Sequence, residues 1–467
     1  MSSILHRSVN SPPPHARAST GITFVHAPVP DETGFELVYD MSSGAGVTGL
    51  GHNCTEIKTA MSDQLLKMPY AHSAQWTSDS VEAAGDLILG TSGPGFEDGG
   101  VTFYSGGSEA VEAACKLAVQ IMALRDGTNG PAPLFVGRQH SYHGNSIFAL
   151  SLGDHPRKMC LEYSISWVKQ SVGRFDAFMP WKDSTGEASI ASLRRILNDE
   201  FRTTGRRCVV VMETIGGTTI GVAPPSATYL AAIRSLCNQY KAILIYDEVL
   251  SGNYRLGYLT AWQAYQKISM LNCAPDIVIL GKGITGGYFP MSAVVCSSSM
   301  RDILVSSNLP TLWHTSTNQN HPIGCAAVVA AIGLYEEMSH VWVSLAWEMQ
   351  LAAEKIAKAP GVVRVSGAGC LYGIQLEPEW IGLHKIVKTK LLKRGVSTYT
   401  DGATIHGQGN MLLFAPPLIT QRQSLDAITD AIIAVTTGEK GPVTGERDTA
   451  VIGGPPDMDP RLSPKPL

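Results

Sequence analysis

Four short stretches of this chain are apolar at every position: Leu134–Val136, Cys208–Met212, Ala242–Tyr246 and Ile277–Leu280. Apolar runs of this length, without polar alternation, predict strands buried on both faces. Val101–Tyr104 predicts another strand, and Glu36–Tyr39 a short one near the start. Ala110, Ala113, Ala114, Leu117, Ala118, Ile121 and Met122 recur at helical spacing, and Tyr229–Tyr240 reads as a helix between two of the strands. Strands alternating with helices predict an α/β fold, a mainly parallel sheet with helices on both faces. Such sheets bind ligands beyond the carboxyl ends of their strands. Two of the predicted strands end there in charge. Asp247 follows Tyr246, and Lys282 follows Leu280-Gly281.

After residue 320 the pattern changes. Ile323–Met338 and Val341–Lys358 read as helices, the second stopped by Pro360-Gly361. Leu371–Leu376 and Met411–Phe414 read as strands, and Ile386–Arg394 and Ser424–Val435 as helices. We expect four parts: an arm and part of a small domain (1–60), a large domain (61–320), a smaller α+β domain (321–437) and a Gly/Pro-rich tail (438–467). The tail has no periodic apolar pattern and reads as a surface wrap or partly disordered.

Composition narrows the function classes. The chain has 467 residues, 44% hydrophobic and 16% charged, as in a soluble globular protein. A formal charge of −4 with scattered Lys and Arg gives no footprint for nucleic acid. No apolar stretch is long enough to span a bilayer. Nine cysteines, with no C-x-x-C pair, argue against a disulfide framework and a zinc site and fit a reducing compartment, so we expect a cytoplasmic protein. The opening residues, with Arg7 and Arg17 and no acid before Asp31, also resemble a mitochondrial presequence. Pro12-Pro13-Pro14 favours an extended arm that belongs to the fold.

Several residues are fitted to chemistry. Gly106-Gly107-Ser108 opens the helix of recurring alanines, where free N–H groups and the positive helix end suit an anion; a plain capped helix is the competing reading. Met41–Gly46 is a loop of small residues that lets backbone come close to a ligand or a neighbouring chain. Tyr142-His143-Gly144 follows soon after a strand and offers an aromatic face, or simply packing. Asp247 with Glu248 either caps the next helix or stands in a site. Lys282 is surrounded by loop glycines that leave it room to reach a ligand, and the spacing for a Walker A loop is missing. A lysine and a carboxylate at two buried strand ends match what pyridoxal 5'-phosphate (PLP) needs: a Schiff-base amine and a partner for the ring nitrogen.

In order along the chain, Gly49-Leu50-Gly51-His52-Asn53, Ser105–Ala110, Ser141–Gly144, Asp247-Glu248-Val249, Lys282-Gly283, His321-Pro322 with Cys325-Ala326-Ala327, and Ala415-Pro416-Pro417 resemble the class III (ω-type) PLP-dependent aminotransferases of fold type I. The resemblance runs from about Leu5 to about Val435. It implies that Gly106, Gly107 and Ser108 hold the phosphate, that Tyr142 and Val249 flank the ring, and that His143 and Glu213 lie near the cofactor. Asp247 would pair with the ring nitrogen and Lys282 carry the cofactor. Thr317 would reach the phosphate of a neighbouring subunit, so that a homodimer shares its sites. Trp76 and Tyr142 would shape the substrate pocket. The substrates would be an amine or amino acid and a 2-oxo acid or aldehyde.

The chain departs from the family pattern in places. Thr214 stands where proline is usual, and Asn320 where glycine precedes His-Pro. The stretch Asp401–Asn410 lacks the arginine with which many relatives grip a substrate carboxylate, and Arg255 is the candidate in its place. A PLP-dependent decarboxylase, racemase or lyase remains open on the same fold, as does a catalytically idle partner subunit.

Overall fold

A computed structural model of the protein describes residues 4–5, 13–26, 37–158, 171–308, 311–377, 384–401 and 410–437. Glu36, the stretch 402–409 and the tail 438–467 lie outside the described residues.

The first strands are β1 (Ala16–Thr20), β2 (Thr23–His26) and β3 (Leu37–Asp40). Seven follow: β4 (Gly100–Tyr104), β5 (Leu134–Arg138), β6 (Val172–Phe175), β7 (Cys208–Glu213), β8 (Ile243–Asp247), β9 (Ile277–Leu280) and β10 (Ser292–Cys296). Last come β11 (Val362–Ala368), β12 (Leu371–Leu376), β13 (Val396–Ser397), β14 (Thr400–Asp401) and β15 (Met411–Phe414).

The central sheet has the order β4-β10-β9-β8-β7-β5-β6. Its pairings are parallel except those of β10, which runs against both β9 and β4. β4 therefore points the same way as β5 to β9, and the carboxyl ends of all six share one edge. Both faces are dry. Val209, Val211, Ile243, Ile245, Ile277 and Ile279 join the core under the helix Gly107–Asp126, while Val210, Met212, Leu244, Tyr246 and Val278 join the core under the helix Ala227–Gln239. That is why these strands read as unbroken apolar runs.

Two smaller sheets complete the fold. β11-β12-β15-β14 is antiparallel, and β1-β2-β3 takes β13 as a parallel edge, joining the start of the chain to its last third. Among the described residues, no helix is long and apolar enough to cross a membrane.

Pattern reading missed β6, β10 and β11 and the helices Thr55–Lys67, Asp79–Thr91 and Glu187–Asp199. β6 and β11 mix apolar residues with Gly, Ser and Arg, so no apolar run marks them. Met41–Gly46 contains a helical turn, Ser43–Gly46, but its interior is not helical: Gly44 has φ 66° and Ala45 φ −129°. The Asp40 carboxylate holds that loop by accepting the Gly44 N–H at 2.9 Å. Asn320, which replaces the glycine before His-Pro, adopts a left-handed backbone (φ 55°) that Asn tolerates, and its side chain accepts the Phe103 N–H at 2.9 Å.

Candidate active site

One cavity of about 240 Å³ opens at the shared carboxyl edge of the central sheet. Its floor follows from strand parity. Side chains two apart on a strand share a face, so Glu213 and Asp247 continue the faces of Val211 and Ile245, toward the helix Gly107–Asp126. β7 and β8 pair with Glu213 opposite Asp247, and β8 and β9 with Asp247 opposite Ile279. Two residues beyond Leu280, Lys282 reaches the same cavity.

Lys282 opens a tight 3-10 turn, Lys282–Thr285, with φ 47°, in the left-handed region that a lysine rarely adopts. Neighbours hold the turn. Asn253 Nδ2 donates to the Gly281 carbonyl at 2.9 Å, and Tyr335 Oη to the Gly283 carbonyl at 3.2 Å. A Cβ at Gly281 would stand 3.3 Å from Val249, so a glycine lets the two strand ends close up.

The adjacent carboxylates Asp247 and Glu248 have different tasks. Glu248 is fully buried and faces away from the cavity. It accepts N–H groups of Ala261 and Trp262, the latter at 2.9 Å, and the Thr214 hydroxyl at 2.7 Å. Thr214, the departure from proline, thus fixes this carboxylate. Helix capping, the competing reading for the pair, is the work of Glu248. Burial pushes the Glu248 carboxyl up to about 7, against the pull of those donors. Asp247 lines the cavity instead. Its Oδ1 accepts the Val249 N–H at 3.1 Å, and its Oδ2 lies 2.8 Å from His143 Nδ1, which donates to it.

Behind Asp247 lies a train of buried polar atoms. His143 Nε2, Glu213 Oε2 and Arg138 Nη2 are buried and find no hydrogen-bond partner among the described residues. Arg138 Nη2 stands 3.5 Å from Glu213 Oε2. Burial raises the Glu213 carboxyl and Asp247 adds to this, while His143 and Arg138 oppose it.

Gly107 and Ser108 begin the twenty-residue helix Gly107–Asp126 and line the cavity, with Gly106 at the N-cap. Gly144, at φ 130°, packs so closely that a Cβ there would stand 2.3 Å from Ser108 Oγ. Ser108 Oγ also accepts the Asn145 N–H at 2.9 Å. Tyr142 and Val249 line the walls, and the Tyr142 ring centroid lies 5.0 Å from that of His155.

Gly107, Ser108, Tyr142, His143, Glu213, Asp247, Val249 and Lys282 thus meet in one cavity. Trp76, Thr317 and Arg255 do not line it. Trp76 is 70% exposed, and Thr317 is exposed with its carbonyl accepting the Tyr70 hydroxyl at 2.9 Å. Arg255 is buried, donating to the Pro416 carbonyl at 2.6 Å, to Ser43 Oγ at 3.0 Å and to the Cys370 carbonyl at 3.4 Å. Ala45, from the small-residue loop Met41–Gly46, also lines the cavity, as do residues not singled out from sequence, among them His155, Arg157, Ser251 and Tyr399. Arg138 was legible. It is a charge closing an apolar strand, the same signal as Asp247 and Lys282. His155, Arg157 and Tyr399 carry no such signal.

Residues 27–436 match the family model for class-III aminotransferases. The protein belongs to that family. An uncharacterized aminotransferase of Schizosaccharomyces pombe is 30% identical over 420 residues, 86% of this chain and 88% of its own. The beta-alanine–pyruvate aminotransferase of Pseudomonas aeruginosa is 27% identical over 405 residues, 85% of this chain and 87% of its own. In fold, the chain matches a taurine:2-oxoglutarate aminotransferase from Bifidobacterium kashiwanohense, solved in complex with PLP and glutamate, with TM-score 0.78 and 23% identity over 94% of this chain and 95% of that one. This class-III aminotransferase is a fold type I, PLP-dependent enzyme. It moves an amino group from an amine or amino acid to a 2-oxo acid or aldehyde by a ping-pong mechanism. The cavity fits the cofactor: a lysine and a carboxylate on the floor, a glycine-bearing helix N-terminus, and Val249 3.3 Å from where a Gly107 Cβ would be.

Proposed function

We propose that this aminotransferase carries its cofactor on Lys282 and holds the ring nitrogen protonated with Asp247. The observation that supports this most directly is the juxtaposition of Lys282 and a His143-anchored Asp247 on one cavity floor. Gly107 and Ser108, with Gly106 behind them, take the phosphate at the helix N-terminus. Tyr142 and Val249 take the two faces of the ring. Bound there, the cofactor supplies an electron sink for the pair left at the substrate Cα. The Lys282 amine would hold and move the proton taken from the substrate Cα. Asp247, fixed by Val249 N–H and the His143 ring, keeps its charge aimed at one atom. Borohydride reduction followed by peptide mapping tests the reading; the pyridoxyl group is expected on Lys282, and its appearance on another lysine would overturn the assignment.

The same reading includes a homodimer with shared sites. Thr317 is exposed, held by Tyr70, and Leu66, Trp76 and Trp313 expose large apolar side chains. Exposed apolar surface of this kind marks an interaction face. Mixing Lys282→Ala and Thr317→Ala protomers tests it. With shared sites, one of the two sites in the mixed dimer collects both defects and the other neither, so activity rises above both parents. An average of the parents after verified subunit exchange means that each subunit holds its own phosphate.

A reducing, cytoplasmic setting completes the reading. The described cysteines are free thiols, all buried except the half-buried Cys54. A fluorescent fusion that stains an organelle instead would reject it.

A further inference from the structure

A cation on the cavity wall has no part in the reading above. Arg157 is half-buried in a 3-10 turn, Pro156–Lys158, and lines the cavity. The cations around it are neutralised. Lys158 Nζ and Arg174 Nε each stand 3.1 Å from Asp154 Oδ1. Among the described residues, no carboxylate pairs with Arg157. Its Nη1 donates to a neutral group, the Asn145 amide oxygen, at 3.2 Å.

The placement of this guanidinium is specified from two sides. The Arg157 N–H donates to His155 Nδ1 at 3.1 Å, which fixes the turn. Asn145, which holds the head group, is anchored in turn through its N–H on Ser108 Oγ. The acids of the floor are engaged elsewhere: Asp247 with His143, and Glu213 toward Arg138. A guanidinium has five N–H donors in a planar fork that matches a carboxylate. One amide contact leaves most of that fork for an anion.

We propose that Arg157, steadied by Asn145, binds the carboxylate of the 2-oxo acid acceptor and so determines acceptor specificity. The proposal rests on the aminotransferase site described above. Arg255 is occupied by backbone carbonyls and leaves this task open. Because Arg157 is only half-buried, water can solvate it when the substrate has no carboxylate. One pocket then serves both an acidic acceptor and an uncharged amine or aldehyde. The phosphate of the cofactor is an oxyanion too, and the test separates the two.

Propionate, which has the carboxylate of pyruvate but no carbonyl to react, is titrated into the holoenzyme by calorimetry. In Arg157→Gln its affinity is expected to fall about tenfold or more, as for loss of a charge-assisted pair. The ratio of kcat/KM for pyruvate to that for propanal is expected to fall by about the same factor, mostly through the KM for pyruvate. Arg157→Lys is expected to recover part of both. Propionate affinity and substrate ratio within about twofold of wild type would overturn the proposal. So would equal losses with pyruvate and propanal, which would make Arg157 a structural support. So would weakened PLP binding to the apoenzyme with propionate affinity intact, which would assign Arg157 to the phosphate. Peptide mapping of Lys282 in the wild type fails or holds independently of all these outcomes, so a wrong site reading is told apart from a wrong role for Arg157.

Discussion

The floor of the cavity and its rim are built by different means. On the floor, Glu213, Asp247 and Lys282 come from the ends of three adjacent parallel strands. Register places them: a slip of one residue would turn both carboxylates to the opposite face of the sheet. On the rim, Ala45 and Arg157 come from two turns and Tyr399 from the link between β13 and β14, all widely separated in sequence. Each turn is positioned by a few hydrogen bonds, such as those from Gly44 to Asp40 and from Arg157 to Asn145. Chemistry that demands a fixed geometry sits on the rigid sheet, and the choice of substrate is left to loops that can vary without disturbing it.

The largest effect is expected at the floor. Lys282→Ala should abolish turnover while circular dichroism and thermal midpoint stay near wild type, since the lysine supports the chemistry and not the core. Measurable transamination without added amine would break the contrast, because the floor would then not hold the essential amine.

Asp247→Asn keeps the shape of the side chain and removes its charge. Activity is expected to fall by several orders of magnitude, at about 1.4 kcal/mol for each tenfold. Single-turnover absorbance changes would show the loss in the chemical step. Near-normal turnover would place Asp247 with Glu248, as a carboxylate that only supports the fold.

Gly144→Ala tests where floor and rim meet. The new Cβ would stand 2.3 Å from Ser108 Oγ and 2.9 Å from Ser108 Cα, on a backbone at φ 130°. Strain and overpacking are expected to cost on the order of 1–3 kcal/mol. Titration of the apoenzyme with PLP should show weaker binding, because Ser108 moves. Unchanged cofactor affinity would mean that the helix start tolerates the shift.

The smallest expected effect is a pH dependence. Glu248 holds its proton to about pH 7 in the folded protein, against 4.5 for the ordinary group. Folding therefore takes up a proton between those values. The stability this supplies is fully present below the unfolded pKa and is lost as pH rises through the folded one. Glu248→Gln cannot titrate. Its unfolding free energy, from denaturant titration, should gain on that of wild type from about pH 5 to about pH 8, by an amount on the order of 1–3 kcal/mol. A constant gap across that range would mean that the carboxylate stays charged under its three donors.

Much of the floor was legible in the chain's apolar runs. Charge at the end of such a run marks a buried strand entering a site, and that signal found Asp247 and Lys282. Applied evenly, it also finds Arg138. It could not decide between Asp247 and Glu248, because adjacent residues on a strand point to opposite faces and only the packing shows which face holds the cavity. Arg255 shows the converse limit. An arginine looks free in sequence, yet here carbonyls from two remote segments, at Cys370 and Pro416, surround it.

Local pattern in the chain was enough for the buried strands β5, β7, β8 and β9, for the helix Gly107–Asp126, and for the charged Asp247 and Lys282 at two strand ends. These follow from local periodicity and from the high cost of burying a charge without purpose. Which strands are neighbours, that β10 runs backward, that Asp247 leans on His143, and that Arg157 faces the cavity emerge only in the folded chain. Those facts depend on contacts between residues tens to hundreds of positions apart. No local pattern encodes such contacts, because each is set by how the whole core packs.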